Sequence, residues 1–201
     1  FLNHAFIKAL LNNEKGLHID KDHFMTISPD EGSMNRAIYL ANVLGVDMGM
    51  YYKRLDYSRY VNGRHPIAAY EFLGPKIEGK DMILIDDMIS SGDTIIKIAS
   101  LLKEKGAGRV YICSTFGFFT DGLDKFDDAY KKGYFDKLLT TNLVYQSPEL
   151  LEKPYYISCD MSKYIALIID TLNHDNSVSH LLNPVDRIKR CVTNYMSQHE
   201  K

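Results

Sequence analysis

Met82, Ile83, Leu84 and Ile85 form an unbroken apolar run that ends at two adjacent carboxylates, Asp86 and Asp87. A short strand without polar alternation is buried on both faces, as in a parallel sheet covered by helices. The residues beyond the run restrict the chain further. Ser90-Ser91-Gly92-Asp93-Thr94 is small and hydroxyl-rich, and an amphipathic helix lies after it, with Ile95, Ile98, Ala99 and Leu102 on one face. A strand ending at two acids, then a loop and a helix N-terminus, builds a ligand site at the carboxyl edge of the sheet. The carboxylates can accept paired hydrogen bonds from a polyol or hold a hydrated cation. Loop amides and a helix start can hold a phosphate. Together they suit a phosphorylated sugar. A plain strand end with a helix cap is the competing reading, because Ser90, Ser91 and Asp93 are all good capping residues.

The rest of the chain repeats the alternation. Ala5 to Leu11 has helical spacing. Phe24 to Ile27 reads as a buried strand that ends at Ser28-Pro29-Asp30-Glu31-Gly32. A helix runs on from Ser33, its cap, to Leu44, with Gly45 ending it. Further strands are expected at 47–53, 70–73, 109–113, 137–140 and 155–158. Helices are expected at 94–105, 122–132, 162–172 and 178–182, and a charged amphipathic tail from Pro184. Residues 57–66 read as a polar, tyrosine-rich, mobile connection. The pattern predicts an α/β fold with a mainly parallel central sheet and helices on both faces.

Composition narrows the partners. A net charge of −2 over 201 residues gives no global pull toward nucleic acid or an anionic membrane. No apolar run approaches the roughly 18 residues of a membrane span. Cys113, Cys159 and Cys191 are far apart and form no CxxC pair, which suits reduced thiols in a cytoplasmic protein. The seven histidines show no metal spacing. The start, FLNHAFIKAL, has neither an initiator methionine nor a signal-peptide layout, and reads as the middle of a longer chain.

The stretch DMILIDDMISSGDT resembles the phosphoribosyl pyrophosphate (PRPP) binding signature of type I phosphoribosyltransferases and of PRPP synthetase. The flanking segments favour the synthetase. MTISPDEGSMNRAIYLANVLG is similar to its strand, diphosphate loop and following helix. YYKR falls where it has a basic flexible loop. KEKGAGRVYICSTFGFFTDG, LTTN and NHDNSVSHLL resemble three later segments in the same order. The likeness covers about Asp22 to Leu182.

By position, the resemblance implies that Asp86, Asp87 and Ser90, Ser91, Gly92, Asp93 and Thr94 bind ribose 5-phosphate. Asp30, Glu31, Gly32 and Ser33 fall on the diphosphate loop, with Asp30 helping to hold magnesium. Lys53 and Arg54 are the catalytic candidates of the flexible loop. The implied reaction is diphosphoryl transfer from ATP to ribose 5-phosphate, giving PRPP and AMP, in a homo-oligomer. Residues 1–20 read as a remnant of a preceding domain, 21–183 as a phosphoribosyltransferase-like domain and 184–201 as a helical tail. Without the preceding domain the chain is expected to be inactive alone. Three departures stand out. Asp93 replaces a loop glycine, Leu55 replaces a third basic residue (with Arg59 or Arg64 as substitutes), and Ser33 replaces the second glycine of the diphosphate loop. A non-catalytic regulator that binds PRPP or ribose phosphate is the second reading. A nucleobase phosphoribosyltransferase is the third.

Overall fold

The structure, a computed structural model, describes residues 2–55, 57, 58, 60, 63 and 67–199. Its strands are β1 (Phe24–Ser28), β2 (Asp47–Leu55), β3 (Ile67–Leu73), β4 (Asp81–Ile89), β5 (Val110–Gly117), β6 (Lys137–Thr141) and β7 (Tyr156–Cys159). Its helices are α1 (Leu2–Asn13), α2 (Met34–Leu44), α3 (Asp93–Glu104), α4 (Asp124–Lys131), α5 (Pro148–Leu151), α6 (Ser162–Asn173), α7 (Ser179–Leu182) and α8 (Val185–His199). The strands lie in the order β3-β2-β1-β4-β5-β6-β7. Every pairing is parallel except β2 with β3. The chain builds outward on one side of β1 and then returns to build on the other. β1 and β4 therefore flank the topological switch point, where the carboxyl ends of a doubly wound sheet leave a crevice.

The apolar run of β4 is buried because both faces are covered. Ile83 and Ile85 join one core with Phe6, Ile7 and Leu10 of α1, Leu40 and Ala41 of α2 and Ile188 of α8. Met82 and Leu84 join the other with Ile95, Ile98 and Leu102 of α3 and Phe126 of α4. Each such fully buried aliphatic side chain contributes about 1.5–3 kcal/mol relative to exposure. The expected α/β architecture, with helices on both faces of a mainly parallel sheet, is what the chain adopts.

Several element bounds differ from expectation, each for a local reason. β4 does not stop at Asp86-Asp87 but continues to Ile89, because β5 runs on beside it and pairs Met88 with Phe116 and Ile89 with Gly117. The apolar run marks only the length of strand that helices cover. β2 extends past Lys53 through Arg54, because β3 returns beside it as a ribbon. α5 has no counterpart among the expected helices. It is four residues long, too short for a periodic signal, with Pro148 in its first turn and Ser147 Oγ accepting from Leu150 N–H at 3.2 Å. Ser33 makes no side-chain cap to α2, because its hydroxyl is used elsewhere. None of the described helices is long and apolar enough to cross a membrane.

Candidate functional site

The crevice at the switch point is a cavity of about 270 Å³ lined by Asp30, Asp86, Asp87, Met88 and Ile89, and by the loop and helix start Ser90 to Ile95. Three elements meet there. The turn after β1 supplies Asp30, whose Oδ1 accepts from Gly32 N–H at 3.0 Å and Ser33 N–H at 3.3 Å. Ser28 Oγ braces the turn by donating to the Asp30 carbonyl at 2.6 Å. Glu31 is exposed in this turn, and its carbonyl accepts from Met34 N–H.

β4 supplies the two acids. Asp86 Oδ1 accepts from Ser33 Oγ at 2.7 Å and from Asp87 N–H at 2.8 Å. The Asp87 side chain shares a hydrogen bond with that of Asp86, and its Oδ2 lies 3.3 Å from Arg36 Nη1 of α2. The environments push the acids apart. Burial raises the pKa of Asp86, and the Ser33 and Asp87 N–H bonds only partly oppose this. Asp87 is also raised by its slight burial, but the hydrogen bond shared with Asp86 and the Arg36 guanidinium outweigh that and hold it below the usual carboxylate range. The pair is thus an acceptor-rich edge with one acid more willing to carry the proton.

This makes a testable pH signature. The folded-state pKa of Asp86 is raised above 3.8, so its cost to folding sets in as pH rises past 3.8, where the unfolded chain ionises, and is complete above the folded-state value. Asp86→Asn keeps an acceptor for Ser33 and removes the buried charge. Its melting temperature should match wild type below about pH 3.8 and exceed it increasingly toward neutral pH. Thermal melts at about pH 3.5 and 7.5 measure this, and a constant difference between the two would contradict it.

The loop after β4 is the anion half. α3 begins at Asp93, and Asp93 to Ile95 line the cavity; the amides of this first turn have no intrahelical acceptor, that of Asp93 donating to Ser91 Oγ at 3.4 Å. Gly92 is required there. Its φ is +84°, and a Cβ would lie 2.3 Å from Phe126 Cζ. The loop is tied to the next crossover by Phe118 N–H to Ile89 O at 2.9 Å and Thr120 N–H to Ser90 O at 3.1 Å. Asp93, whose carboxylate would repel a phosphate bound in this loop, is held by neighbouring side chains. Its Oδ1 lies 2.8 Å from Lys125 Nζ, which also meets Asp121 at 2.8 Å. Its Oδ2 accepts from Ser91 Oγ at 2.9 Å, so that hydroxyl serves Asp93.

The basic candidates separate. Lys53 and Arg54 lie on strand β2 and not in a loop, opposite Tyr70 and Ala69 of β3. Alternation sends them to opposite faces. Lys53 Nζ comes within 4.0 Å of Asp30 Oδ2. Arg54 pairs with Glu71 at 2.7 Å, where Tyr52 OH also donates, and so turns away from the cavity. Arg59 and Arg64 lie outside the described residues. Two residues here escape sequence reasoning. Arg36 has a usable signal: a cation in the first turn of a helix opposes the macrodipole and needs a carboxylate nearby. Lys125 has none, because its relation to Asp93 exists only across α3 and α4.

A family profile described as the phosphoribosyl synthetase-associated domain matches residues 64–183. The chain belongs to this family. A ribose-phosphate pyrophosphokinase of Vibrio parahaemolyticus is 29% identical over 163 residues, covering 81% of this chain and 49% of the relative. One from Thermococcus kodakarensis is 31% identical over 121 residues, covering 60% and 39%. The chain therefore spans about half the length of the curated relatives it matches. The crystal structure of phosphoribosylpyrophosphate synthetase from Mycobacterium smegmatis superposes with a TM-score of 0.63 at 23% identity, over 76% of this chain and 46% of that one. That likeness shows the shared fold.

Magnesium is implied by the resemblance, and the donor set can be tested against it. Among the described residues no group of three acidic, histidine or cysteine side chains forms a ready metal cage. The cavity does offer hard carboxylate oxygens on Asp30, Asp86 and Asp87. Magnesium is commonly held by one or two carboxylates, substrate phosphates and water, so these residues fit a metal that arrives with phosphate.

Proposed function

We propose that this chain provides the ribose 5-phosphate side of a PRPP-forming site. The observation that supports the reading is the meeting of Asp30, Asp86 and Asp87 with residues 90–95 around one cavity at the sheet's switch point. Asp86 and Asp87 would accept hydrogen bonds from ribose hydroxyls, and the α3 amides would hold the 5-phosphate. In the reaction, the sugar 1-hydroxyl oxygen forms a bond to the β-phosphorus of ATP. The bond from that phosphorus to the α–β bridging oxygen breaks, AMP leaves with the electron pair, and the hydroxyl proton passes to solvent or base. Lys53 and the Gly32–Ser33 turn would face the migrating diphosphate. Magnesium, held by Asp30 and phosphate oxygens, would supply charge neutralisation. Self-association, a cytoplasmic setting and domain limits at 20/21 and 183/184 belong to the same proposal.

The test is AMP release from ATP and ribose 5-phosphate with magnesium. The 201-residue chain is expected to bind the sugar phosphate yet release no AMP above background, since it spans half its relatives. Turnover by the chain alone would contradict this. A longer protein carrying the chain should release AMP. If it binds both substrates without turnover, the regulatory reading replaces the catalytic one. Asp93 and the turning of Arg54 toward Glu71 favour that second reading.

Lys125 gives a sharper check on the loop. Lys125→Ala leaves Asp93 facing the anion site unneutralised and should weaken ribose 5-phosphate binding about three- to fivefold. Adding Asp93→Gly should restore it. Calorimetric titration of both variants decides, and equal weakening in both would mean that Lys125 does not act through Asp93.

A further inference from the structure

A second cleft, of about 580 Å³ against the 270 Å³ of the switch-point cavity, lies between α1, the end of β7, α6 and α8. β7 and β4 are separated by β5 and β6 in the sheet. At roughly 4.8 Å per strand spacing those two strands are about 14 Å apart. Arg187 of its lining comes from α8, which begins at Val185, beyond residue 183 where the family match ends.

The lining is strongly biased in charge. Lys8, Lys163 and Arg187 face the cleft, against one carboxylate, Asp160. Asp160 Oδ1 accepts from Asn142 Nδ2 and from Ser162 N–H, both at 2.9 Å, which fixes this carboxylate and keeps it ionised. Among the described residues no carboxylate pairs with Lys8 or Lys163. His4 sits buried in the wall, with Nδ1 bonded to Tyr164 OH and Nε2 lying 3.5 Å from Cys191 Sγ. Burial first, then the charges of Lys8 and Arg187, lower its pKa. Ala5, Ala9 and Leu167 give the same cleft an apolar side.

We propose that this cleft is a second ligand site, for an organic phosphate whose anionic group meets Lys8, Lys163 and Arg187 and whose apolar or aromatic part lies on Ala5, Ala9 and Leu167. Two lysines without an ion-pair partner among the described residues, beside an apolar wall, match the two ends of such a molecule and outnumber the one carboxylate of the lining. The site is independent of the ribose 5-phosphate reading, since it shares no residue with the cavity of Asp86 and Asp87.

AMP is the probe, and the Asp87→Asn chain is the background, so that loss at one site is not mistaken for loss at the other. AMP is expected to bind that chain in calorimetric titration, with adenosine at least tenfold weaker. Lys8→Glu/Lys163→Glu should weaken AMP at least tenfold, because both lysines are exposed and the swap reverses two charges without touching the core. An unchanged melting temperature confirms that the double variant folds. No AMP binding at millimolar concentration overturns the proposal. So does adenosine binding as well as AMP, or a change below threefold in the folded double variant.

Discussion

Asp87→Asn is expected to lower the affinity for ribose 5-phosphate about a hundredfold while leaving the melting temperature within a few degrees of wild type. Asp87 is the more ionised of the paired acids, and its side chain is 56% exposed, so its charge is available to a ligand. Hydrogen bonds to a charged acceptor are each worth about 1.5–3 kcal/mol, and a ribose offers two hydroxyls to one carboxylate. Losing about 2.7 kcal/mol corresponds to two decades in affinity. Stability should barely change, because the ion pair with Arg36, at 3.3 Å, is exposed. Calorimetry and a thermal melt on the same sample separate the outcomes. A melting temperature that collapses while affinity survives would make Asp87 a structural residue.

Gly92→Ala should act in the opposite sense, on the fold first. Two penalties combine at this position: a left-handed backbone, at about 1–2 kcal/mol, and a methyl forced into the Phe126 ring, at about 1–3 kcal/mol. A loss of roughly 3 kcal/mol lowers the melting temperature of a domain this size by roughly 6–12 °C. Gly133→Ala is the control. Its φ is +72°, but nothing lies within 4 Å of the added Cβ, so it should show the strain alone, about 1–2 kcal/mol. Equal losses at both glycines in scanning calorimetry would mean that Phe126 yields and the loop is not pinned by it.

Asp87 and Gly92 also mark how far sequence alone can reach. The alternation of apolar runs with 3.6-residue periods announces the doubly wound sheet, because burial on both faces writes itself into consecutive residues such as Met82 to Ile85. Asp86 and Asp87 are legible as a pair because they interrupt that run. Their inequality is not. It arises from the burial of Asp86 and from Arg36, about fifty residues before Asp87, which reaches that acid only once β1 and β4 are neighbours. Arg54 illustrates the opposite error: adjacent to Lys53 in sequence, it is on the other face once both belong to a strand. In sequence Gly92 is only one more small loop residue, whereas its necessity comes from a ring on α4 packed beneath it.

That one cavity grips a sugar at its hydroxyls and at its phosphate together is tested most directly by a titration of three ligands. Ribose 5-phosphate, ribose and inorganic phosphate are each added to the Lys8→Glu/Lys163→Glu chain, in which the second cleft is disabled. Ribose 5-phosphate should bind at one site per chain and at least tenfold tighter than either fragment. Binding no tighter than inorganic phosphate would contradict the shared grip.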